Sequence, residues 1–281
     1  MAEKAEDTGV IAWLVETVKT VFWALVIAGI FRTVLFQPFW IPSGSMKDTL
    51  LIGDFLFVNK MAYGYSYASC PSIRIARLGV DIGADDFCGF IEDREERFFG
   101  ADPERGDIVV FRHPVDGRDF IKRLIGVPGD RIQMQDGLLY INDAPVQVAP
   151  VGTFDEVWER QGPLGNTPSC SNGPVGPGSI CQKERFIETL PNGVSHAILN
   201  VGDRPGDNTG VFTVPEGQFF FMGDNRDNSV DSRFLQANRG VGFVERKDIV
   251  GRADRVMFSS AGRSMFAFWT WRSDRFFKAL D

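Results

Sequence analysis

Residues 119–130, DFIKRLIGVPGD, decide the fold class of this chain. Alternate positions carry Phe120, Lys122 and Leu124, and this period of two predicts a β-strand with the three side chains on one face. A lysine flanked by apolar residues on its own face is poorly hydrated, which favours the neutral amine and lowers its pKa. Lys122 is therefore a candidate general base, and the simpler alternative is an edge-strand lysine that points to water.

Other short runs with strand character surround this one and are bounded by Gly, Pro, Asp or Asn. They are DFLFV (54–58), DIVVF (107–111), RIQMQDGLLYIND (131–143), ERFIETLPNGVSHAIL (184–199) and GQFFFMGD (217–224). Asp136-Gly137 and Asn192-Gly193 predict hairpin turns. We therefore expect a mostly β, antiparallel protein, with residues 36–130 and 214–260 forming the β core. Residues 131–213 are expected to form a β-rich insertion lobe.

The N-terminal segment predicts a membrane anchor. Residues 21–31 are apolar, and extending the segment to residues 10–35 gives one transmembrane helix after a short tail of residues 1–9. A cleaved signal peptide is the first alternative, but RTVLFQPFWIP follows without a small-x-small site. An interfacial helix is the second, but residues 21–31 are apolar on all faces. The C-terminal tail, 261–281, is aromatic and basic, and either touches the membrane surface or packs as a terminal helix.

Composition excludes several classes of function. The net charge of -7 argues against a nucleic-acid partner, which would require a basic surface. The sequence shows no glycine-rich phosphate loop and no paired CxxC pattern, so no metal or organic cofactor is expected. The four cysteines form two close pairs in sequence, Cys70 with Cys88 and Cys170 with Cys181. Two local disulfides in an oxidising compartment would explain them, and four free thiols are the alternative.

Two further polar stretches suggest hydrolytic chemistry. Ser43-Gly44-Ser45 lies in FWIPSGSMKDTLLIGD (39–54), shortly after the apolar segment. A serine hydroxyl needs a base to become a nucleophile, and with only two histidines in the chain a lysine is the next candidate. Of the eight lysines, Lys47 is too close along the chain and its sequence context predicts exposure, whereas Lys122 lies in the apolar strand pattern described above. The stretch GDNRDNSVDSR (223–233) is either a hydrogen-bonded polar cluster or a solvated turn.

Four segments, in order, resemble the conserved boxes of bacterial type I signal peptidases. They are SGSM (43–46), RGDIVVF (105–111), FIKRLIGVPGD (120–130) and GDNRDNSVDSR (223–233). The resemblance covers residues 36–58, 105–130 and 219–255 and implies a membrane-anchored serine endopeptidase with a Ser/Lys dyad on a β-rich catalytic domain. By motif position, Ser45 is the implied nucleophile and Lys122 the general base, acting through an acyl-enzyme. The implied oxyanion hole is the Ser43 hydroxyl with the Ser45 main-chain N–H.

The resemblance also implies supporting and substrate-binding residues. The supporting residues are Ser229, which would orient the lysine, Asp224, and the ion pair of Asp231 with Arg233. An extended substrate would pair with residues 40–44 and 119–122 and place small residues at -1 and -3, as in Ala-x-Ala, into shallow apolar pockets. The implied pocket residues are Phe39, Ile41, Pro42, Met46, Leu50, Leu56, Val110, Phe120 and Ile121. At the positions of Lys47 and Asp48, many members of that family have an apolar residue and a proline. This departure affects the part of the site expected to bind the substrate after the cleavage site.

The implied partners are preprotein signal peptides and the lipid bilayer. The expected form is a single-pass monomer in the bacterial cytoplasmic (inner) membrane, beside the secretion translocon, with its catalytic domain on the periplasmic side. One alternative is a specialised Ser/Lys maturation protease of one secretion or conjugation system. Self-cleaving repressors also use such dyads but are soluble, whereas this chain has an apolar N-terminal segment. An anchored binding module without catalysis is disfavoured, since Ser45 and Lys122 are both retained.

Overall fold

The fold comes from a computed structural model that describes residues 3–70, 73–75, 80–83, 88–89, 97–162, 164–262 and 265–280. Within these ranges one long helix, α1 (Glu3–Val34), precedes sixteen strands. The strands are β1 (Phe36–Trp40), β2 (Asp54–Asn59), β3 (Ile73–Ile75), β4 (Val80–Ile82), β5 (Ile108–Arg112), β6 (Asp119–Gly126), β7 (Arg131–Gln135), β8 (Leu138–Ile141), β9 (Ala144–Pro145), β10 (Gln147–Val157), β11 (Ile180–Thr189), β12 (Ser195–Asn200), β13 (Phe212–Thr213), β14 (Gln218–Met222), β15 (Val244–Glu245) and β16 (Ile249–Ser259). The predicted mostly β, antiparallel fold is confirmed.

Helix α1 includes a stretch, Gly9–Arg32, that is long and apolar enough to cross a membrane. The helix itself begins at Glu3, inside the segment predicted as a tail. Three polar side chains within it are paired locally: Lys19 contacts Glu16 at 3.0 Å, and the Thr20 hydroxyl donates to the Glu16 carbonyl. Pairing of this kind lowers the cost of placing polar groups in an apolar span.

A seven-stranded antiparallel sheet forms the core, in the order β1-β2-β16-β5-β6-β14-β15. The central strands β5 and β6 pair Val109 with Lys122 and Phe111 with Phe120. One apolar cluster contains Val109, Phe111, Leu124, Phe219 and Phe221, with Phe120 packed against it. Phe120 and Leu124 therefore share a face of β6, as the period-two pattern predicted.

The sheet curls so that its first strand approaches β6. Phe39 of β1 and Ile121 of β6 pack against the same apolar cluster, although three strands separate β1 from β6 in the sheet order. β14 pairs with β6 from Arg123 onward, so within the described chain residues 119–122 are paired only with β5. Residues 120–122 therefore form a short stretch of β6 with no second strand beside it among the described residues.

Residues 131–213 form two smaller sheets, β13-β7-β8-β9 and β10-β11-β12. The turn between β7 and β8 places Asp136 and Gly137 at positive φ, and Gly193 does the same between β11 and β12. Both predicted hairpins are thus confirmed. The division into core and lobe stays a prediction.

Both predicted disulfides are present, Cys70–Cys88 and Cys170–Cys181. The second joins the start of β11 to the loop before it. Parts of the predicted loop region 62–104 lie outside the described residues.

The described part of the C-terminal tail is not the packed terminal helix that was one of the two alternatives. It forms two short 3₁₀ turns, Phe268–Thr270 and Ser273–Arg275. Trp271 stacks on Phe258 of β16 with ring centroids 4.7 Å apart, and Arg275 donates to Asp54 at 3.0 Å. These contacts bind the tail to β16 and to the start of β2.

Candidate active site

Ser45 and Lys122 meet in a buried contact. Ser45 lies five residues beyond the end of β1, and Lys122 lies on β6. The Lys122 amine donates to Ser45 Oγ at 2.7 Å and to the Ile121 carbonyl at 3.0 Å. Lys122 is 3% exposed, so the edge-strand alternative, in which it points to water, is wrong.

The surroundings of Lys122 favour its neutral form. Burial lowers its pKa to about 8 from 10.5, and the carboxylates of Asp231 and Asp224 oppose that shift only in part. Its Nζ lies 5.4 Å from the centroid of the Phe120 ring. At a pKa near 8, about a tenth of the molecules carry a neutral amine at pH 7, which a general base requires.

The serine segment, residues 43–45, is held by the polar loop that follows β14. The Asn225 main-chain N–H donates to the Ser45 carbonyl at 3.0 Å, and its side-chain amide donates to the Gly44 carbonyl at 2.8 Å. Sequence analysis missed Asn225, although it stands within the quoted GDNRDNSVDSR stretch. The polar-cluster interpretation of that stretch is therefore correct, because its side chains are buried and bonded.

Two bidentate ion pairs fix this loop behind the dyad. Arg123 donates to both carboxylate oxygens of Asp224 at 2.9 Å, and Arg233 does the same to Asp231 at 2.9 Å. Burial alone would raise the pKa of both carboxyls, but the arginines hold it below the usual value. The Asp231–Arg233 pair was predicted; the partner of Asp224 was not. The position of Arg123 directly after Lys122 was the sequence feature that could have indicated this partner.

Ser229 is buried close to the dyad but is not bonded to the lysine. Its hydroxyl has no hydrogen bond of normal geometry. It nevertheless lies close enough to the Asp231 carboxylate to help lower the pKa of that group. A Cβ on Gly223 would stand 2.3 Å from Ser229 Oγ and 2.6 Å from the Ser45 carbonyl. Only glycine therefore fits between these two serines.

A second buried network joins residues 131–213 to the loop after β14. Arg226 donates to both oxygens of Glu188 on β11, at 2.8 and 2.5 Å, and His196 Nε2 lies 3.3 Å from the same carboxylate. Although burial would raise the pKa of Glu188, Arg226 and His196 bring it to about 2. The Leu199 N–H donates to the Asp224 carbonyl at 2.9 Å. Sequence analysis did not identify these residues.

The predicted substrate-binding residues cluster beside the dyad. Phe39, Pro42, Phe120 and Ile121 are half-buried, whereas the other five are buried. One apolar cluster contains Ile41, Met46, Leu50 and Leu56, with Phe39 and Ile121 packed against it; Val110 belongs to the adjoining cluster. Phe120 instead packs against the cluster of Val109, Phe111 and Leu124, so the structure brings together the other members of the set.

Ser43 and Ser45 border a cleft of about 430 Å³, which Lys47 also lines. The expectation that Lys47 is exposed is wrong: it is 4% exposed, and its amine contacts Glu156 and the Gln161 side chain. Both partners lie more than a hundred residues away in sequence, which is why local context misled. Within the described ranges, no group of three or more His, Cys, Asp or Glu is placed to hold a metal ion.

Comparison with known proteins adds direct evidence of kinship. The sequence model of the family described as signal peptidase, peptidase S26, matches residues 14–258. The chain belongs to this signal peptidase family. Its relatives include the proteins named signal peptidase I of Rickettsia typhi and Rickettsia prowazekii, each 38% identical over 257 residues. Each alignment covers 87% of this chain and 82% of the relative.

Membership of the signal peptidase family makes the chain a serine endopeptidase, a hydrolase. The family is membrane-anchored, and Gly9–Arg32 of α1 is consistent with an anchor. A solved signal peptidase I from Enterococcus faecalis V583 is 24% identical and covers 54% of this chain and 97% of its own. Its TM-score of 0.28 is too low for any argument about this chain's geometry.

Proposed function

We propose that the protein removes N-terminal signal peptides from exported preproteins by means of a dyad of Ser45 and Lys122. The observation that carries the proposal is the 2.7 Å hydrogen bond between the Lys122 amine and Ser45 Oγ, in a setting that lowers the lysine pKa to about 8. A buried neutral amine in contact with a hydroxyl is the arrangement that activates a serine without histidine.

Catalysis follows from this contact in two steps. Lys122 takes the proton of Ser45, whose oxygen attacks the scissile carbonyl, and the Ser43 hydroxyl with the Ser45 N–H binds the oxyanion. The protonated lysine then gives its proton to the leaving amine, and the acyl-enzyme is hydrolysed when Lys122 deprotonates a water. Asn225 supports this sequence because it fixes the carbonyls of Gly44 and Ser45 and so the direction of the intervening N–H.

Substrate recognition is proposed to combine main-chain pairing with small apolar pockets. Among the described residues β5 is the one strand partner of residues 119–122, and an extended peptide is proposed to add as a further strand between them and residues 40–44. The nearby half-buried side chains Phe39 and Ile121 leave room for small residues at -1 and -3, so cleavage after Ala-x-Ala is expected. One methylene in such a pocket changes the transition-state energy by only about 1–3 kcal/mol.

The supporting side chains act on the geometry of the dyad in this proposal. Asp224, Asp231 and Arg233 hold the loop behind Lys122, and Ser229 orients its amine. In free enzymes catalytic hydrogen bonds are often formed only when substrate is bound, so the unbonded Ser229 hydroxyl is available to the lysine during turnover. Ser229→Ala is then expected to lower kcat while KM stays within twofold, and a reversed pattern would contradict the orienting role.

The setting of the reaction is also part of the proposal. We place the protein as a single-pass monomer in the bacterial cytoplasmic membrane, beside the secretion translocon, with residues 36–281 on the periplasmic side. Two disulfides in that portion support an oxidising compartment. Residues 36–130 and 214–260 are proposed as the catalytic core and residues 131–213 as an insertion lobe.

Cleavage of a preprotein with an Ala-x-Ala site by the full chain in detergent micelles tests the function. Ser45→Ala and Lys122→Ala should each abolish cleavage while the protein remains folded and membrane-bound. The double variant should lose little more than either single one, because the two groups act in one step. Additive losses, or cleavage by Ser45→Ala, would show that another group is the nucleophile or that the two act separately.

A further inference from the structure

Lys47 occupies a place in the site that the dyad mechanism does not use. Its side chain folds back over the serine segment: a Cβ on Gly44 would stand 3.3 Å from Lys47 Cε and 3.7 Å from Nζ. Gly44 lies between Ser43 and Ser45, so the Lys47 amine is packed beside the proposed oxyanion hole. A Cβ on Gly44 would require the Lys47 side chain to shift by a few tenths of an ångström.

A buried triad holds the Lys47 amine there. Lys47 donates to Glu156 on β10 and, at 2.7 Å, to Gln161 Oε1, while Lys183 on β11 donates to the other Glu156 oxygen. Burial alone would raise the pKa of Glu156, but the two lysines hold it below its usual value, so this carboxyl is ionised at neutral pH. Burial lowers the pKa of Lys47 below its usual 10.5, and the contact with Glu156 opposes that shift. Two lysine amines thus share one carboxylate, so the triad has an excess of positive charge when both amines are protonated.

The triad of Lys47, Glu156 and Lys183 holds β10, β11 and the loop between them against the segment that carries Ser45. That loop contributes Gln161, Asn166, Thr167 and Pro168 to the 430 Å³ cleft that begins at Ser45. Among the described residues that line the cleft, Lys47 carries the only charged side chain. The nearby Asp48 carboxylate is paired with Arg185 at 2.6 Å and does not offset the charge of the triad.

The position of the cleft identifies which part of a substrate it would receive. The apolar residues proposed for the -1 and -3 pockets, such as Phe39 and Ile121, are not part of its described lining. A peptide that places the residues before the scissile bond between 40–44 and 119–122 must continue past Ser45 on the other side. The polar cleft lies at Ser45 and is open to solvent, so it suits the first residues of the released protein.

We propose that Lys47, held by Glu156 and Lys183, is a specificity-determining residue that favours an acidic side chain in the first two positions after the cleavage site. The inference rests on the proposed function and adds a preference on the side of the substrate that becomes the mature protein. Lys47 itself is buried in the wall of the cleft, so water screens its charge less than that of a flexible surface lysine, and it attracts a carboxylate more strongly. It also disfavours a substrate lysine there by the same interaction.

The test uses the full chain in detergent micelles with substrates that share one Ala-x-Ala signal peptide. They differ only in Glu, Gln or Lys at the first or at the second residue after the cleavage site. Glu and Gln have nearly the same shape, so their comparison isolates charge. For the wild type we expect kcat/KM to fall from Glu to Gln to Lys at one or both positions. A single such charge interaction corresponds to about fivefold between Glu and Gln.

Variants of Lys47 separate charge from packing. Lys47→Met should bring Glu and Gln within about twofold of each other, whereas Lys47→Arg should keep the wild-type order because it keeps the charge. The Glu/Gln ratio is the readout, since a loss of packing alone would lower cleavage of both substrates together. Exchanging Ala for Val at -1 serves as a control, and the penalty for that change should be the same in all three proteins.

Several results would overturn the inference. One is equal cleavage of the Glu, Gln and Lys substrates by the wild type, which requires no variant to fold. Another is an unchanged Glu/Gln ratio in Lys47→Met. Either leaves the proposed function standing. Failure to cleave any of the substrates contradicts the proposed function itself, and with it this inference.

Discussion

Replacing Lys122 with methionine is expected to abolish cleavage and, at the same time, to stabilise the folded protein at pH 7. Burial lowers the pKa of this lysine from 10.5 to about 8. Each unit of such a shift is about 1.36 kcal/mol, so a protonated Lys122 costs the folded state about 3 kcal/mol at pH 7. The buried amine of Lys122 is thus maintained at the expense of stability, as is common in active sites.

Methionine removes this cost without creating a cavity, since its apolar side chain has nearly the length of lysine. The variant loses the hydrogen bonds to Ser45 and to the Ile121 carbonyl, each contributing about 1 kcal/mol, which leaves a net gain of about 1 kcal/mol. The pH dependence follows from the direction of the shift. The unfolded chain binds more protons than the folded one between pH 8 and pH 10.5, so wild-type stability rises with pH through that window. The advantage of the variant should be full below pH 8 and lost above pH 10.5.

The measurement is urea unfolding of the full chain in detergent micelles at pH 7 and at pH 11, followed by tryptophan fluorescence. Comparing wild type and Lys122→Met at each pH cancels the titration of other groups. Lys278→Met, at an exposed lysine, is the matched control and should change the free energy of unfolding by less than about 0.5 kcal/mol. A Lys122→Met protein that is less stable than wild type at pH 7, or equally favoured at both pH values, would refute the reasoning.

Three further predictions follow from other contacts. The wild-type kcat/KM should rise with pH around a midpoint near 8, because only neutral Lys122 acts as base; a midpoint near 10 would contradict that role. Replacing Cys170 and Cys181 with serine should lower the free energy of unfolding by about 2–3 kcal/mol, the cost of an open loop of this length, whereas thiol labelling of both in the native protein would disprove the bridge. Asp224→Asn leaves the Arg123 guanidinium buried and uncompensated, so the free energy of unfolding should fall by about 3 kcal/mol; an unchanged Tm would show that the pair is dispensable.

Local patterns in the sequence were sufficient to predict much of the sheet. The alternation in residues 120–124 and the Asp136-Gly137 turn predict local features, and the structure contains both. Two long strands escaped notice because their patterns are interrupted. In β10 the pairing shifts between Pro150 and Thr153, and in β16 it shifts at Asp254 and again near Met257. A bulge moves later side chains to the opposite face, so alternation is lost even though the strand continues.

The candidate site was only partly predictable for a different reason. Ser45 and Lys122 were found because short motifs carry their identity, but motifs do not report which distant groups surround a side chain. Lys47 looks exposed beside Asp48, yet its partner Glu156 lies 109 residues further along the chain. Such partners meet only after the sheets have folded, and no local periodicity anticipates them.

Helix α1 passes almost directly into β1, which fixes the distance between the end of the helix and the first strand of the sheet. Only Leu35 separates helix from strand; its carbonyl accepts the Lys60 N–H at 3.1 Å, and the Tyr65 hydroxyl donates to the Val34 carbonyl at 2.6 Å. The end of the anchor is therefore fixed to the sheet, and the five residues of β1 reach at most about 17 Å beyond it. An extended substrate needs about five residues to cover the same height from the end of its own apolar segment. Under the proposed function, Ser45 is then expected to act at the small residue of a signal peptide that lies at that distance.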